Sequence, residues 1–324
     1  MSSFFSHGVK EHLGRSNQLL KLSAMLDWSA FSPLLGDVHS DRGPTGYAPL
    51  MMFKTLLLGQ WHSLSDPALE EALRVRLDFL EFTGFALGGD LPDETTLCRF
   101  RNKLVQSGKL PRLLGEVNRQ LEARGLKLQA ATTAIIDATL IQSAARPRKE
   151  IEADDAGEFQ VSYSADADAT WLKKGSKSHF GYQSFVQCDA EGFVEHTHTT
   201  PANLPETKEL ERAVSAVSKG KRIRVLADKG FASAANKTML HANKIKCGLM
   251  RKAARNRPLT AREKLFNRLI SKQRFRIEQC FGTLKRRFDF TRSSYFTTAK
   301  TEAQMLMKCL CLNLLKGMNK CEFA

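Results

Sequence analysis

Hydrophobic spacing changes period once along this chain, near Lys127, and that change limits the folds open to it. From about Tyr47 to Leu126 apolar residues recur every three or four positions, the signature of amphipathic helices. Pro49 opens a segment with Leu50, Phe53, Leu56 and Leu57 on one side. Asp66-Pro67 reads as an N-cap followed by proline at the first helical position, and the helix after it runs through Leu69, Leu73, Leu77 and Leu80. Past a glycine-rich loop, Gly84 to Leu91, the run Pro92-Asp93-Glu94-Thr95 starts another helix with Leu97, Phe100 and Leu104 on one face. Arg99, Arg101 and Lys103 fall largely off that stripe, a basic face that can lie against DNA or simply face water. A last helix, Pro111 to Arg124, stops at Gly125. The expectation is an all-helical first domain over residues 1–128.

Beyond Lys127 the pattern becomes that of strands. Ala131 to Asp137 is short and apolar, and Gly181 to Cys188 and Phe193 to Thr199 read as a hairpin joined at Asp189-Ala190-Glu191-Gly192. A helix near Glu206 to Ser218, a strand Arg222 to Asp228, a helix near Ser233 to Ala242, a strand Lys246 to Met250 and a long helix from Ala261 to Phe288 complete the pattern. Mixed strands followed by alternating strand and helix predict an α/β sheet flanked by helices, over residues 129–318. Residues 142–180 are polar and lack a period, so they read as a mobile arm.

Two of the apolar runs end on aspartate, Ile135-Ile136-Asp137 and Val225-Leu226-Ala227-Asp228. If both strands lie side by side and parallel, their aspartates emerge at the carboxyl edge of the sheet, where α/β folds bind ligands. On the long helix Arg274, Glu278 and Lys285 share a face beside the apolar stripe Ile277, Phe281, Leu284 and Phe288. Three carboxylates so presented suit hard divalent cations, which take oxygen ligands and keep positions open for phosphate. Taken singly, an aspartate after a strand is more often a turn residue, and an Arg-Glu pair four apart is usually a helix surface pair.

Charge favours a polyanionic partner, either nucleic acid or an acidic membrane surface. The formal net charge is +15, and Lys219 to Lys300 holds 23 Lys and Arg against four acids. Two of those acids are Asp228 and Glu278, so the carboxylates sit in a field that attracts a phosphate backbone. Seven cysteines without a CxxC pair read as reduced, in a cytoplasmic protein, and no signal peptide or membrane span is expected. His196 and His198 alternate on a strand and could ligate metal, but an exposed or satisfied strand face is the better reading, and Cys309 and Cys311 read as helix packing.

Ile135-Ile136-Asp137-Ala138-Thr139-Leu140-Ile141, Leu226-Ala227-Asp228-Lys229-Gly230-Phe231 and the run from Arg274 to Arg286 resemble the three acidic blocks of bacterial DDE transposases of the insertion-sequence-five type. Ser63-Leu64-Ser65-Asp66 and Leu91 to Arg101 resemble that family's leading domain. The resemblance implies an RNase H-like catalytic domain that cleaves DNA at terminal inverted repeats and transfers the strand into target DNA. It implies Mg²⁺, or Mn²⁺ in its place, as two ions held by Asp137, Asp228 and Glu278. Arg274, Lys285, Arg286 and Lys229, with Arg99, Arg101 and Lys103 of the leading helices, are expected to contact DNA; Trp171 either contacts a base or anchors the arm. Ser271 stands where the family has tyrosine. A bacterial, nucleoid-associated protein acting as a homodimer or larger homo-oligomer on DNA, away from membranes, is expected. A nuclease or resolvase of the same fold without strand joining, or an inactive DNA-binding remnant, are the competing readings.

Overall fold

The computed structural model describes residues 4–14, 16–38, 46–128, 132–147, 150–153, 159–162, 165–215, 217 and 223–321. The chain divides into two compact units, Met1–Gln129 with Leu306–Ala324, and Ala130–Met305.

The first unit is helical: α1 (Phe4–Leu13), α2 (Gln18–Met25), α3 (Ser32–Leu35), α4 (Pro49–His62), α5 (Asp66–Val75), α6 (Leu77–Thr83), α7 (Glu94–Gln106) and α8 (Leu110–Ala123). Pro49 occupies the first turn of α4, where its missing N–H costs nothing, and Asp93 caps α7 by accepting from Thr96 N at 2.6 Å. Ser65 rather than Asp66 is the cap of α5. The continuous helix expected through Leu80 breaks at Arg76, whose extended backbone (φ −103°, ψ 111°) ends α5, while its guanidinium holds Asp78 in the first turn of α6. Leu57, Trp61, Phe79 and Phe82 are among the buried side chains.

In the second unit come β1 (Thr133–Gln142), β2 (Glu150–Ala153), β3 (Phe159–Ser162), β4 (Thr170–Lys174), β5 (Lys177–Cys188), β6 (Val194–Pro201), α9 (Glu206–Val214), β7 (Arg224–Ala227), α10 (Ala234–Ala242), β8 (Lys246–Leu249) and α11 (Ala261–Arg286). β6, β5 and β1 are antiparallel neighbours, and β7 and β8 continue the sheet parallel to β1. This mixed order, β6-β5-β1-β7-β8 with helices packed on it, is the RNase H-like arrangement that the resemblance implied. β4 joins the sheet along the first residues of β5. Asp189 closes the expected β5–β6 turn, its Oδ1 accepting from Glu191 N and Phe193 N, with Gly192 at φ 83°.

Ala134 and Ile136 of β1 are buried with Leu210, Ala213 and Val214 of α9 and Leu240 of α10. Side chains alternate along a strand, so Ile135 and Asp137 belong to the other face, where Arg274 of α11 meets Asp137.

Three further expectations change. β1 continues five residues past Asp137, because β5 offers it a partner as far as Gly181 opposite Gln142. The stretch expected to be an irregular arm contains β4 and the antiparallel pair β2–β3; Arg148, Lys149, 154–158 and 163–164 lie outside the described residues. The final helix α12 (Thr298–Lys320) does not stay with the sheet as the 129–318 boundary assumed. From Leu306 onward it belongs to the helical unit: Lys308 Nζ donates to Gln60 O at 3.1 Å and Asn313 Nδ2 to Asn118 Oδ1 at 2.7 Å.

Candidate active site

The parallel register of β1 and β7 brings two aspartates together. Ile135 pairs with Leu226, so Asp137 and Asp228 each lie two residues beyond that pair, at the carboxyl end of the β7 ladder. Asp228 leaves the strand as the cap of a short 3₁₀ turn, Lys229–Phe231, with Oδ1 accepting from Gly230 N. Asp137 stays in β1, with Oδ1 accepting from Ala138 N at 2.9 Å and Oδ2 from Arg274 Nη2 at 2.5 Å.

Arg274 is nearly buried, with Nη1 on Met250 Sδ at 3.6 Å and Nε without a hydrogen-bond partner among the described residues. Burial pushes the Asp137 carboxyl above its ordinary value and outweighs the opposing pull of the Arg274 guanidinium; the negative charge of Asp228 adds to the rise.

Glu278 is exposed on α11. One turn before it Arg274 grips Asp137, and one and two turns after it Phe281 and Lys285 line a cavity of about 400 Å³ over Ala138–Gln142 of β1. Residues three and four apart share a helix face, so Glu278 shares the face of α11 that carries Arg274, Phe281 and Lys285. Lys174 and His179 close the cavity from the β4–β5 hairpin. Burial and the neighbouring charge of Lys174 lower the Lys285 ammonium below its ordinary value.

A further carboxylate stands here that sequence reasoning missed. Glu206, the first residue of α9, accepts through Oε1 from Gln183 Nε2 at 3.0 Å, and its carboxyl is raised first by burial and then by Asp228 and Asp137. An acid in the first turn of a helix is usually read as complementing the helix dipole, which hid it.

Among the described residues no three His, Cys, Asp or Glu form a ready metal-holding group. Asp137 is on Arg274, Asp228 on Gly230 N and Glu206 on Gln183. The donor set nonetheless fits a hard divalent cation: it is all oxygen, and the negative charge of Asp228 adds to the burial that raises the carboxyls of Asp137 and Glu206.

Other expected contacts divide. Arg286 and Lys229 are exposed, as are Arg99 and Lys103 of α7. Arg101 is not on that free face: its guanidinium makes two bonds to Asp66, at 2.7 and 2.6 Å, which braces α7 against α5. Trp171 is 51% exposed, 5.4 Å from the Phe180 ring. In register Trp171 faces Phe180 and Leu172 faces His179, so alternation sets the indole on the side of the hairpin away from His179 and Lys174. Ser271 is exposed. His196 and His198 are depressed by burial, His198 to about 3, and His198 stacks on Phe185 and bonds Glu209 at 3.1 Å, a packing role. A second cavity, about 600 Å³, opens at the start of α11 between Lys237, Arg251, Lys252, Arg257 and Arg262, with Glu263 its acidic member. Among the described residues no helix is long and apolar enough to cross a membrane.

Residues 129–314 match the family described as Transposase DDE domain, and residues 8–103 match a second described as Transposase domain (DUF772). The chain is 44% identical over 225 residues to the transposase for insertion sequence element IS1106 of Neisseria meningitidis serogroup B, covering 68% of this chain and 77% of that relative. Among solved structures, the cryo-EM piggyBac transposase synaptic complex with hairpin DNA aligns over 96% of this chain and 76% of that one, at 11% identity and a TM-score of 0.45. The Mos1 mariner paired end complex with Mn aligns over 92% and 94%, at 13% identity and a TM-score of 0.22. Both structural likenesses are too distant to bear on the site.

Proposed function

Because this chain belongs to the DDE-domain transposases, enzymes that cleave DNA and transfer the strand, we propose that Asp137, Asp228 and Glu278 are its catalytic acids. The observation that carries this reading is the parallel β1–β7 register, which sets Asp137 and Asp228 level with each other beside the Arg274–Lys285 stripe of α11. Mg²⁺, as two ions, is the cation these carboxylates would hold. Once bound it supplies Lewis-acid stabilisation of the charge that develops on phosphate oxygens during cleavage and joining.

The chain's own residues supply the positioning. Lys285 and Lys174 flank the cavity along β1 and hold the phosphates next to the scissile one as point charges. Arg274, which donates to Asp137, would offer its planar fork to a phosphate were that carboxylate engaged by a cation.

The finer reading is a transposase of the insertion-sequence-five type, acting in the bacterial cytoplasm on its own terminal inverted repeats as a homodimer or larger assembly. DNA contacts fall to Arg286, Lys229, the basic cavity at the start of α11, and exposed Arg99 and Lys103 of the helical unit. Arg101, committed to Asp66, holds α7 in shape for them. The test is a labelled duplex carrying the element's own terminal repeat, incubated with Mg²⁺ or EDTA beside the Asp228→Ala protein. Metal-dependent nicking at the repeat boundary that disappears in the variant supports the reading. Nicking that survives in Asp228→Ala would remove it. Joining of precut ends to a target then separates a transposase from a nuclease that only hydrolyses.

A further inference from the structure

We propose that Glu206 is a fourth carboxylate of the active site and holds the divalent cation together with Asp228, an inference that rests on the reading of Asp137 and Asp228 as cation ligands. Its basis is how the chain delivers and restrains this side chain.

α9 packs on the sheet face opposite α11, through Leu210, Ala213 and Val214. Its first residue therefore approaches the aspartates from the side that Glu278 and Arg274 do not occupy. One carboxylate oxygen is clamped: Gln183 of β5, which lies opposite Leu140 of β1, donates to Glu206 Oε1 at 3.0 Å. The other lies against Gly230, next to Asp228. A β-carbon on Gly230 would overlap Glu206 Oε2 and come within 2.8 Å of Asp228 Oδ1. The two oxygens thus stand within about 5 Å of each other, the span that two oxygens reach when they share one cation at roughly 2.0–2.6 Å each.

Two features separate this from an ordinary first-turn acid. A carboxylate that serves the helix dipole needs no fixed rotamer and gains nothing by lying against another carboxylate. Here the chain keeps a glycine at position 230, and any larger residue would push the two acids apart. Like charges so placed repel, and a cation shared between them turns the repulsion into attraction.

The test uses the full-length protein without DNA and Mn²⁺ alone as probe, with binding read from the electron paramagnetic resonance signal of free Mn²⁺. Glu206→Gln keeps the shape and the bond to Gln183 but removes the charge, and it is expected to weaken Mn²⁺ binding at least tenfold. Gly230→Ala, which displaces the carboxylate, is expected to weaken it in the same direction. Asp228→Asn reports on the underlying reading. Weakened binding in Asp228→Asn with Glu206→Gln within twofold of the parent overturns the role of Glu206 alone. Unchanged binding in all three overturns the cation site itself. Should Glu206→Gln not fold, Glu206→Asp, which keeps the charge but withdraws it by one methylene, is expected to bind Mn²⁺ several-fold more weakly; parental affinity there overturns the proposal.

Discussion

Arg274 Nη2 lies 2.5 Å from Asp137 Oδ2, joining α11 to β1 across 137 residues of sequence. The guanidinium stands where a cation is needed to offset Asp137, whose carboxyl burial already disfavours as an anion. Removing one partner of a buried pair leaves the other uncompensated. Arg274→Gln should therefore lower stability in EDTA by about 3 kcal/mol. Mg²⁺ should restore more of it in the variant than in the parent, because the metal then takes the vacated role. Thermal unfolding with and without metal measures both, and equal metal responses would count against competition between Arg274 and the cation.

Glu278 is exposed on α11, so its removal should leave packing alone. Surface substitutions usually change stability by no more than about 0.5 kcal/mol, whereas loss of a catalytic acid removes transition-state stabilisation. Glu278→Gln should melt like the parent and lose DNA cleavage by about 10³-fold or more. Retention of a tenth of the parental cleavage rate would eliminate Glu278 as the third acid.

Gly181 has φ 155° on β5, opposite the end of β1. A β-carbon there would overlap Ile141 O and meet Ser143 N at 2.6 Å and Gln142 C at 2.9 Å, all backbone that cannot swing aside. Gly181→Ala should cost about 2 kcal/mol or more. It should also loosen the cavity wall formed by Ile141 and Gln142. A urea melt of the variant tests the first effect, and an unchanged midpoint would contradict the packing described.

Lys54 of the helical unit donates to Phe82 O at 3.0 Å and lies over the Trp28 ring at 4.8 Å, yet burial lowers its ammonium from 10.5 to about 8. Between pH 8 and 10.5 the unfolded chain holds a proton that the folded chain has released, so this residue makes stability rise with pH across that window. Lys54→Met should abolish the rise. Urea midpoints of parent and variant at pH 7.5 and 10 test it, and parallel pH responses would refute it.

How far the site was legible follows from which contacts are local. Asp137 and Asp228 end patterned apolar runs, and the Arg274–Glu278–Lys285 spacing is visible because helix faces repeat within one segment. Arg101 misled, because its partner Asp66 lies 35 residues away and a basic residue off a helical stripe looks free. The arm misled because β4 is polar, with Lys173 and Lys174 in a strand stabilised by backbone pairing to β5 rather than by its own hydrophobic period.

By itself the sequence determined the two regimes of period, the helices and strands they specify, the basic field around the acids, and the acidic blocks that mark a DDE transposase. Those properties arise from short-range spacing and composition, which a linear chain carries in full. Tertiary structure alone decided that β1 and β7 run parallel in level register, that Arg274 occupies Asp137, that Glu206 lies against Gly230 beside Asp228, and that α12 from Leu306 belongs with the helices. Each of these joins residues far apart in sequence, and side-chain packing and burial, which spacing does not encode, select it.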